Sequence, residues 1–114
     1  MRSLACLILC LAPLEMATAG QPDAPVPGQV TLVYFHANWC GPCRVVRPAL
    51  EKMAASDTDI ALRKIDLSDS AGEHNVTQLP HVWVYNPGGG LVGTVTGTDI
   101  EKVKSYVAQA KSGG

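Results

Sequence analysis

The sequence contains few aromatic residues, no excess of either charge and no long run of basic side chains. Aromatic residues make up 5% of the 114 positions, and the formal net charge is −1. Nucleic-acid-binding proteins hold phosphates with clustered Lys and Arg, and single-strand binders stack bases on aromatic rings. Here the longest basic run is the pair Arg63-Lys64. We therefore expect no nucleic-acid partner.

The sequence also lacks an apolar run long enough to span a bilayer. The run from Leu4 to Leu14 has about eleven residues, whereas a spanning helix needs about 20. Arg2 precedes this run and the small residues Ala17-Thr18-Ala19 follow it. This is the layout of a secretory signal peptide rather than of a membrane anchor. We therefore predict a signal peptide at 1–19 and an exported protein, periplasmic or otherwise secreted.

Cysteine is scarce once the predicted signal peptide is removed. Of the four cysteines, Cys6 and Cys10 lie in that peptide, and Cys40 and Cys43 lie in the remaining chain. One close pair does not make a disulfide-stapled fold, which uses several bridges. A closed zinc site needs four ligands, although a C-x-x-C pair alone can bind a soft ion such as Cu(I). A redox couple and a soft-metal site therefore remain as readings of the pair.

Apolar periodicity and turn residues predict the element order β-α-β-α-β-β-α. Strands are predicted at 30–37, 60–66, 81–86 and 91–97. Helices are predicted at 41–56, 68–76 and 98–111. Such an order indicates an α/β fold with a central mixed sheet and helices on both sides. The Pro- and Gly-rich residues 20–29 are predicted to form an extended lead-in, and residues 112–114 a flexible tail.

The predicted helix at 41–56 has apolar residues at spacings of three and four, which indicate one buried face. This predicted inward stripe consists of Val45, Val46, Ala49, Leu50 and Met53. Pro48 lies inside the helix and is expected to kink it, because proline removes one backbone hydrogen bond. In the last helix, Thr98 or Asp99 is expected to cap the N-terminus.

Cys40 and Cys43 lie at the predicted start of the first helix, with Gly41 and Pro42 between them. Amide groups and the dipole at a helix N-terminus favour an anion, and they lower a thiol pKa from about 8.5 to roughly 3.5–7.5. Cys40 is therefore predicted to be the attacking thiolate in disulfide exchange. Cys43, about one turn inward, is predicted to resolve the resulting mixed disulfide.

The stretch Trp39-Cys40-Gly41-Pro42-Cys43, between an apolar strand and a helix, resembles the active site of the thioredoxin family. Pro48, the loop at 76–81 and Gly97 match further features of that family in the same order. The resemblance covers about residues 30–111. It implies a thioredoxin-like three-layer sandwich, here trimmed at its N-terminus, and a protein-disulfide oxidoreductase with no cofactor beyond its redox-active disulfide.

The resemblance also assigns roles around the cysteines. Trp39, Gly41 and Pro42 would support the active site. Pro80 would follow a cis peptide bond and stand opposite Cys40, and the backbone of Leu79 would pair with an extended substrate segment.

Several positions depart from the family pattern. Tyr34 stands where thioredoxins carry a buried aspartate, and Leu62 stands at the place of its lysine partner. His36 replaces a tryptophan, and His81 follows Pro80 directly. Tyr34, His36 and His81 are therefore candidate modulators of the thiols. The alternative is that the imidazoles only pack at the rim of the site.

By the same resemblance, Gly-Pro between the cysteines indicates a reductant that exchanges with protein thiols and disulfides. An exported reductant needs electrons, so a membrane thiol-transfer protein is expected as its donor, and we expect a monomer without a metal. Two alternatives stay open. One is a copper-binding or copper-delivery protein that uses Cys40 and Cys43, joined by His36 and His81. The other is a thioredoxin-fold interaction domain without catalysis.

Overall fold

The structure, a computed structural model, describes residues 22–68, 76 and 78–113. Its strands are β1 (Val30–His36), β2 (Ile60–Asp66), β3 (His81–Tyr85) and β4 (Leu91–Thr96), and its helices are α1 (Cys43–Ser56) and α2 (Ile100–Lys111). All six elements were predicted, with ends that agree to within two residues. The predicted signal peptide at 1–19 and most of the predicted helix at 68–76 lie outside the described residues. Neither described helix combines the length and apolar character needed to cross a bilayer.

The four strands form one mixed sheet in the order β2-β1-β3-β4. β1 runs parallel to β2 and antiparallel to β3, and β3 runs antiparallel to β4. β1 is therefore interior to the sheet. All its residues except His36 are buried, so both of its faces are covered, which explains its largely apolar sequence. The predicted α/β class with a central mixed sheet is confirmed.

Both described helices pack on one face of the sheet. β1 contributes the alternate residues Val30, Leu32 and Tyr34 to this face. They join one buried cluster with residues of both helices, namely Cys43, Val46 and Leu50 of α1 and Val103, Val107 and Ala110 of α2. The start of α1, which carries Cys43 and follows Cys40, is thus held against the sheet by the same core that holds α2.

The second face of the sheet has its own buried cluster. Val33 and Phe35 of β1 lie there with Ile65, Leu67 and Val76. The Phe35 ring meets the Trp83 ring edge-on, with centroids 4.5 Å apart. Leu67 precedes the predicted helix at 68–76 and Val76 is the last residue of that range, so both ends of the segment contribute to this face.

Val45 is not part of the inward face of α1, and the prediction for it was wrong. Its side chain is 64% exposed, whereas Val46 is 1% exposed and Leu50 is fully buried. Successive helical residues are turned by about 100°, so the sheet covers the side of α1 that holds Cys43, Val46 and Leu50 and leaves Val45 outside. The predicted apolar stripe is wider than the surface available to bury it.

The described part of the lead-in, residues 22–29, contains turns rather than one extended stretch. In one turn the Gln29 amide donates to the Val26 carbonyl oxygen over 3.1 Å, and Gly28 has φ +85°. Pro27 and Gly28 are the residues preferred at the two central positions of a type II turn. The Gly28 amide also donates to the Pro87 carbonyl oxygen over 3.0 Å, which ties the lead-in to the β3–β4 turn.

Both ends of α2 are capped. The Asp99 carboxylate accepts a hydrogen bond from the Lys102 amide over 3.1 Å, so Asp99 rather than Thr98 is the N-cap. At the other end the Ser112 amide donates to the Ala108 carbonyl oxygen, and Gly113 has φ +92°. A glycine with positive φ commonly ends a helix in this way. The first residues of the predicted flexible tail therefore continue the hydrogen bonding of the helix.

Candidate active site

Cys40 and Cys43 lie where the chain leaves β1 and enters α1. A disulfide joins them, with Cα atoms 5.4 Å apart. The Cys43 backbone amide, at the start of α1, donates to the Cys40 sulfur over 3.2 Å. An amide directed at this sulfur stabilises negative charge on it, as the positive end of the helix dipole also does. This geometry supports the predicted role of Cys40 as the attacking thiolate.

The residues around the disulfide are more exposed than the cysteines themselves. Cys40 is 6% exposed and Cys43 is 3% exposed, whereas Trp39 is 63% exposed. Gly41 and Pro42 are exposed as well, and Pro42 has the φ of −59° that suits the first turn of a helix. The structure thus surrounds a largely buried disulfide with an accessible rim that includes an indole ring.

Pro80 lies at the same end of the sheet as the cysteines. The Leu79–Pro80 peptide bond is cis. Phe35 and His81 are paired across β1 and β3, so Pro80 is placed beside the end of β1 from which the chain continues to Cys40. The Gly97 amide donates to the Pro80 carbonyl oxygen over 2.9 Å, and Gly97 has φ +93°. A side chain at that φ would strain the backbone, which explains the glycine.

Tyr34 lies on β1 and makes a hydrogen bond to the first residue of α1. Its ring is fully buried, and its hydroxyl donates to the Cys43 carbonyl oxygen over 2.8 Å. Burial raises the pKa of Tyr34, and the positive charge of Arg47 acts in the opposite direction. Leu62, at the other departure from the family pattern, is partly buried against the same cluster. Tyr34 and Leu62 thus occupy the positions at which thioredoxins carry the buried aspartate and its lysine partner.

His36 stacks on Tyr34, with ring centroids 5.1 Å apart and planes inclined by 21°. Its cross-strand partner on β2 is Asp66. Burial lowers the pKa of His36; the Asp66 charge raises it, while the charges of Arg47 and Lys64 lower it further. His36 therefore belongs to the face of the sheet that carries α1.

His81 belongs to the opposite face. It pairs with Phe35 across the sheet, and its Nδ1 atom lies 2.9 Å from the Thr96 hydroxyl oxygen. Burial lowers the pKa of His81. The sequence suggested that His36 and His81 both lie beside the cysteines, but the two side chains lie on opposite faces of the sheet. Within the described ranges, no group of three or more His, Cys, Asp or Glu side chains is arranged to hold a metal ion.

One support of the site was missed in the sequence. The Asn38 amide donates to the Ser68 hydroxyl over 2.8 Å, and the Leu67 amide donates to the His36 carbonyl oxygen over 2.7 Å. The Asp66 carboxylate in turn accepts from both the Ser68 amide and the Ser68 hydroxyl. These bonds tie the end of β2 to the loop before Cys40. The only signal in the sequence was Asp-x-Ser, which favours a local turn but names no distant partner.

The family model for thioredoxin matches residues 23–109 of the chain. The chain belongs to the thioredoxin family. It is 35% identical over 99 residues to thioredoxin-2 of Saccharomyces cerevisiae, an alignment that covers 82% of this chain and 94% of the yeast protein. It is 31% identical over 84 residues to the mitochondrial thioredoxin O1 of Arabidopsis thaliana, which covers 69% of this chain but 43% of the plant protein.

Solved thioredoxin structures agree with this assignment. The short form of thioredoxin f from spinach chloroplast aligns with a TM-score of 0.66 at 25% identity, covering 75% of this chain and 79% of the spinach chain. Thioredoxin O1 from Arabidopsis thaliana, in its oxidised state, aligns with a TM-score of 0.62 at 29% identity, covering 72% of this chain and 78% of that one. The predicted thioredoxin-like fold is confirmed, and the chain is a thioredoxin-like thiol–disulfide oxidoreductase with Cys40 and Cys43 as its close pair.

Proposed function

We propose that this member of the thioredoxin family reduces disulfides of other proteins outside the cytoplasm. The observation that carries the proposal is the Cys43 amide, which lies 3.2 Å from the Cys40 sulfur at the start of α1. That amide favours the thiolate form of Cys40 in the reduced protein, and the thiolate is the species that attacks a disulfide.

The reaction follows from the two cysteines. The Cys40 thiolate attacks one sulfur of a client disulfide, forms a mixed disulfide and releases the other client sulfur as a thiolate. The Cys43 thiolate then attacks the Cys40 sulfur, and the remaining client sulfur leaves with the electron pair of the broken bond. The client gains two electrons as it becomes a dithiol, and the Cys40–Cys43 dithiol becomes the disulfide.

Two sequence features support the direction and the place of this reaction. Gly41 and Pro42 between the cysteines resemble the active site of reducing members of the family. The charge, apolar run and small residues at 1–19 have the layout of an export signal. A reductant in an oxidising compartment must receive electrons, so we propose a membrane thiol-transfer protein as the electron donor. We also propose that the protein works as a monomer.

Reduction of insulin by the dithiol form tests the activity. The wild-type chain is expected to cleave the insulin disulfides, and Cys40→Ser to lose this activity. Cys43→Ser is expected to retain the first attack and to accumulate mixed disulfides through Cys40. Normal turnover by Cys40→Ser would contradict the mechanism. Stoichiometric copper or zinc in the purified reduced protein would instead support the metal-delivery alternative.

Cell fractionation and thiol trapping test the location and the direction. The chain expressed with its own first 19 residues is expected in an extracytoplasmic fraction, cleaved after Ala19. Rapid alkylation in vivo is expected to find Cys40 and Cys43 mostly reduced, as a donor would keep them. Several relatives carry mitochondrial names, among them the thioredoxin-2 of Schizosaccharomyces pombe. Recovery of the uncleaved chain in the cytoplasm, or of this chain in mitochondria, would contradict the proposed location.

A further inference from the structure

Tyr34 connects β1, an interior strand of the sheet, to Cys43, the residue that resolves the mixed disulfide in the proposed reaction. It lies on β1 nine residues before Cys43, and its hydroxyl donates to the Cys43 carbonyl oxygen over 2.8 Å. The ring is fully buried in the cluster that also contains Cys40 and Cys43. A hydrogen bond in such surroundings does not compete with water, so it holds its partner more firmly than one at the surface.

The acceptor of this bond belongs to the first residue of α1. A carbonyl oxygen at this position can accept the helical bond from the amide four residues later and still has a second lone pair. The Tyr34 hydroxyl therefore adds a link to the helix without replacing one. It ties the backbone of Cys43 to β1 at the point where α1 begins.

The ring of Tyr34 is itself restrained. His36 stacks on it with centroids 5.1 Å apart, two residues along the same strand. On the helix side it packs in the cluster formed with Val46 and Leu50. A rigid donor on an interior strand is well suited to keep one backbone atom in place while the bonds of the side chains next to it are rearranged.

We propose that Tyr34 is a positioning residue for Cys43 in the step that resolves the mixed disulfide. In that step the Cys43 thiolate attacks the Cys40 sulfur, the bond from Cys40 to the client breaks, and the client sulfur leaves as a thiolate. While the mixed disulfide exists, no disulfide joins Cys40 to Cys43, so the packing and the hydrogen bonds around the two residues align their sulfurs. The Tyr34 hydroxyl supplies one such contact. The inference rests on the proposed function, because it concerns a single step of that reaction.

The test compares Tyr34→Phe with Tyr106→Phe. Both changes remove one phenol oxygen, but Tyr106 lies on α2 and packs over Gly93 of β4, away from the cysteines. Each reduced variant is mixed with insulin, quenched with acid at intervals and analysed for mixed disulfide. Tyr34→Phe is expected to lengthen the lifetime of the mixed disulfide about three- to tenfold, which corresponds to the loss of one hydrogen bond. Tyr106→Phe is expected to match the wild type.

The rate of the first attack provides a second readout. A general loss of stability would slow both the first attack and the resolution, whereas a loss of positioning of Cys43 slows only the resolution. In the Cys43→Ser background, where no resolution occurs, Tyr34→Phe is expected to leave the rate of mixed-disulfide formation unchanged. The proposal is overturned if Tyr34→Phe resolves at the wild-type rate, if Tyr106→Phe slows resolution equally, or if formation and resolution slow together. A wild-type chain that does not reduce insulin at all would instead contradict the proposed function.

A measurement on the wild-type chain keeps the inference testable should Tyr34→Phe fail to fold. In NMR spectra of the reduced protein, the Tyr34 hydroxyl proton is expected to be protected from exchange with water, as it is expected to be in the disulfide form. A hydroxyl proton that is protected in the oxidised form but exchanges freely in the reduced form would overturn the proposal, because the contact would then be absent when it is needed.

Discussion

The backbone amide of Cys43 points at the sulfur of Cys40 and lies 3.2 Å from it. Because this amide stabilises negative charge on the Cys40 sulfur, the two thiols are expected to differ in reactivity once the disulfide is reduced. Cys40 is expected to react with iodoacetamide about tenfold faster than Cys43 near neutral pH, since a thiolate held by a helix N-terminus is the reactive form. Peptide mass spectrometry after brief alkylation measures the ratio. In urea the two cysteines should react at similar rates, and equal rates in the folded protein would contradict the assignment.

The neighbours Val45 and Val46 provide a matched pair for testing the orientation of α1. Val46→Ala should lower the free energy of unfolding by about 2 kcal/mol, because it removes buried methyl groups and leaves a cavity. Val45→Ala should change it by less than about 0.5 kcal/mol, since that side chain is 64% exposed. Urea unfolding of both variants gives the comparison. Equal losses would mean that α1 is rotated relative to the orientation described above.

Gly93 on β4 lies directly under Tyr106 of α2. A Cβ atom at Gly93 would come within 2.5 Å of the Tyr106 ring, so Gly93→Ala forces the helix or the ring to move. We expect a loss of about 1–3 kcal/mol in the free energy of unfolding, as for other overpacked sites. In a Tyr106→Ala background the same change should cost much less, because the ring is gone. An equal cost in both backgrounds would place the effect in the backbone of β4 instead.

The stability of the protein should fall between neutral and mildly acidic pH. Burial lowers the pKa of His36 and of His81 below the ordinary 6.5. Just below pH 6.5 the unfolded chain therefore binds more protons than the folded one, so the free energy of unfolding decreases as the pH drops towards the two lowered values. The carboxyl groups of Glu51, Asp57 and Asp66 also have lowered pKa values, but they act in a more acidic window.

Urea unfolding at about pH 7.5 and about pH 5.5 tests this dependence. The wild-type chain should be less stable at the lower pH, and His36→Gln and His81→Gln should each reduce the difference. Additive reductions are expected, because the two imidazoles lie on opposite faces of the sheet. A wild type that is equally stable at both values would show that neither imidazole loses solvation on folding.

The strands were predictable because their apolar patterns and the turn residues between them are typical of strands at these positions in a sheet. β1 is apolar at nearly every position and is interior to the sheet, and the turn residues between β3 and β4 marked the hairpin. The helix α1 was predictable in extent but not in rotation. Its apolar residues extend around more than one face, and only the positions of the strands determine which of Val45 and Val46 is covered.

The chemistry of the site was carried by a short local stretch, so it could be predicted before any fold was known. The environment of that stretch could not. Tyr34 was recognisable as a departure from the family pattern, but its bond to the Cys43 carbonyl oxygen depends on how α1 lies on β1. His36 and His81 looked equivalent in the sequence because both flank the redox elements. The alternation of side chains along β1 and β3 places them on opposite faces.

β2 has consequences for how these molecules behave when they are crowded together. In the described part of the chain it pairs with β1 on one side only, so its other side presents unpaired backbone amides and carbonyls. Such an edge can recruit a strand from another molecule and begin an aggregate. Here the strand carries Arg63, Lys64 and Asp66, and charged side chains on an edge oppose the approach of a second edge. At this edge of the sheet, β2 thus discourages sheet-to-sheet growth, while its inner side holds the strand that leads to the cysteines.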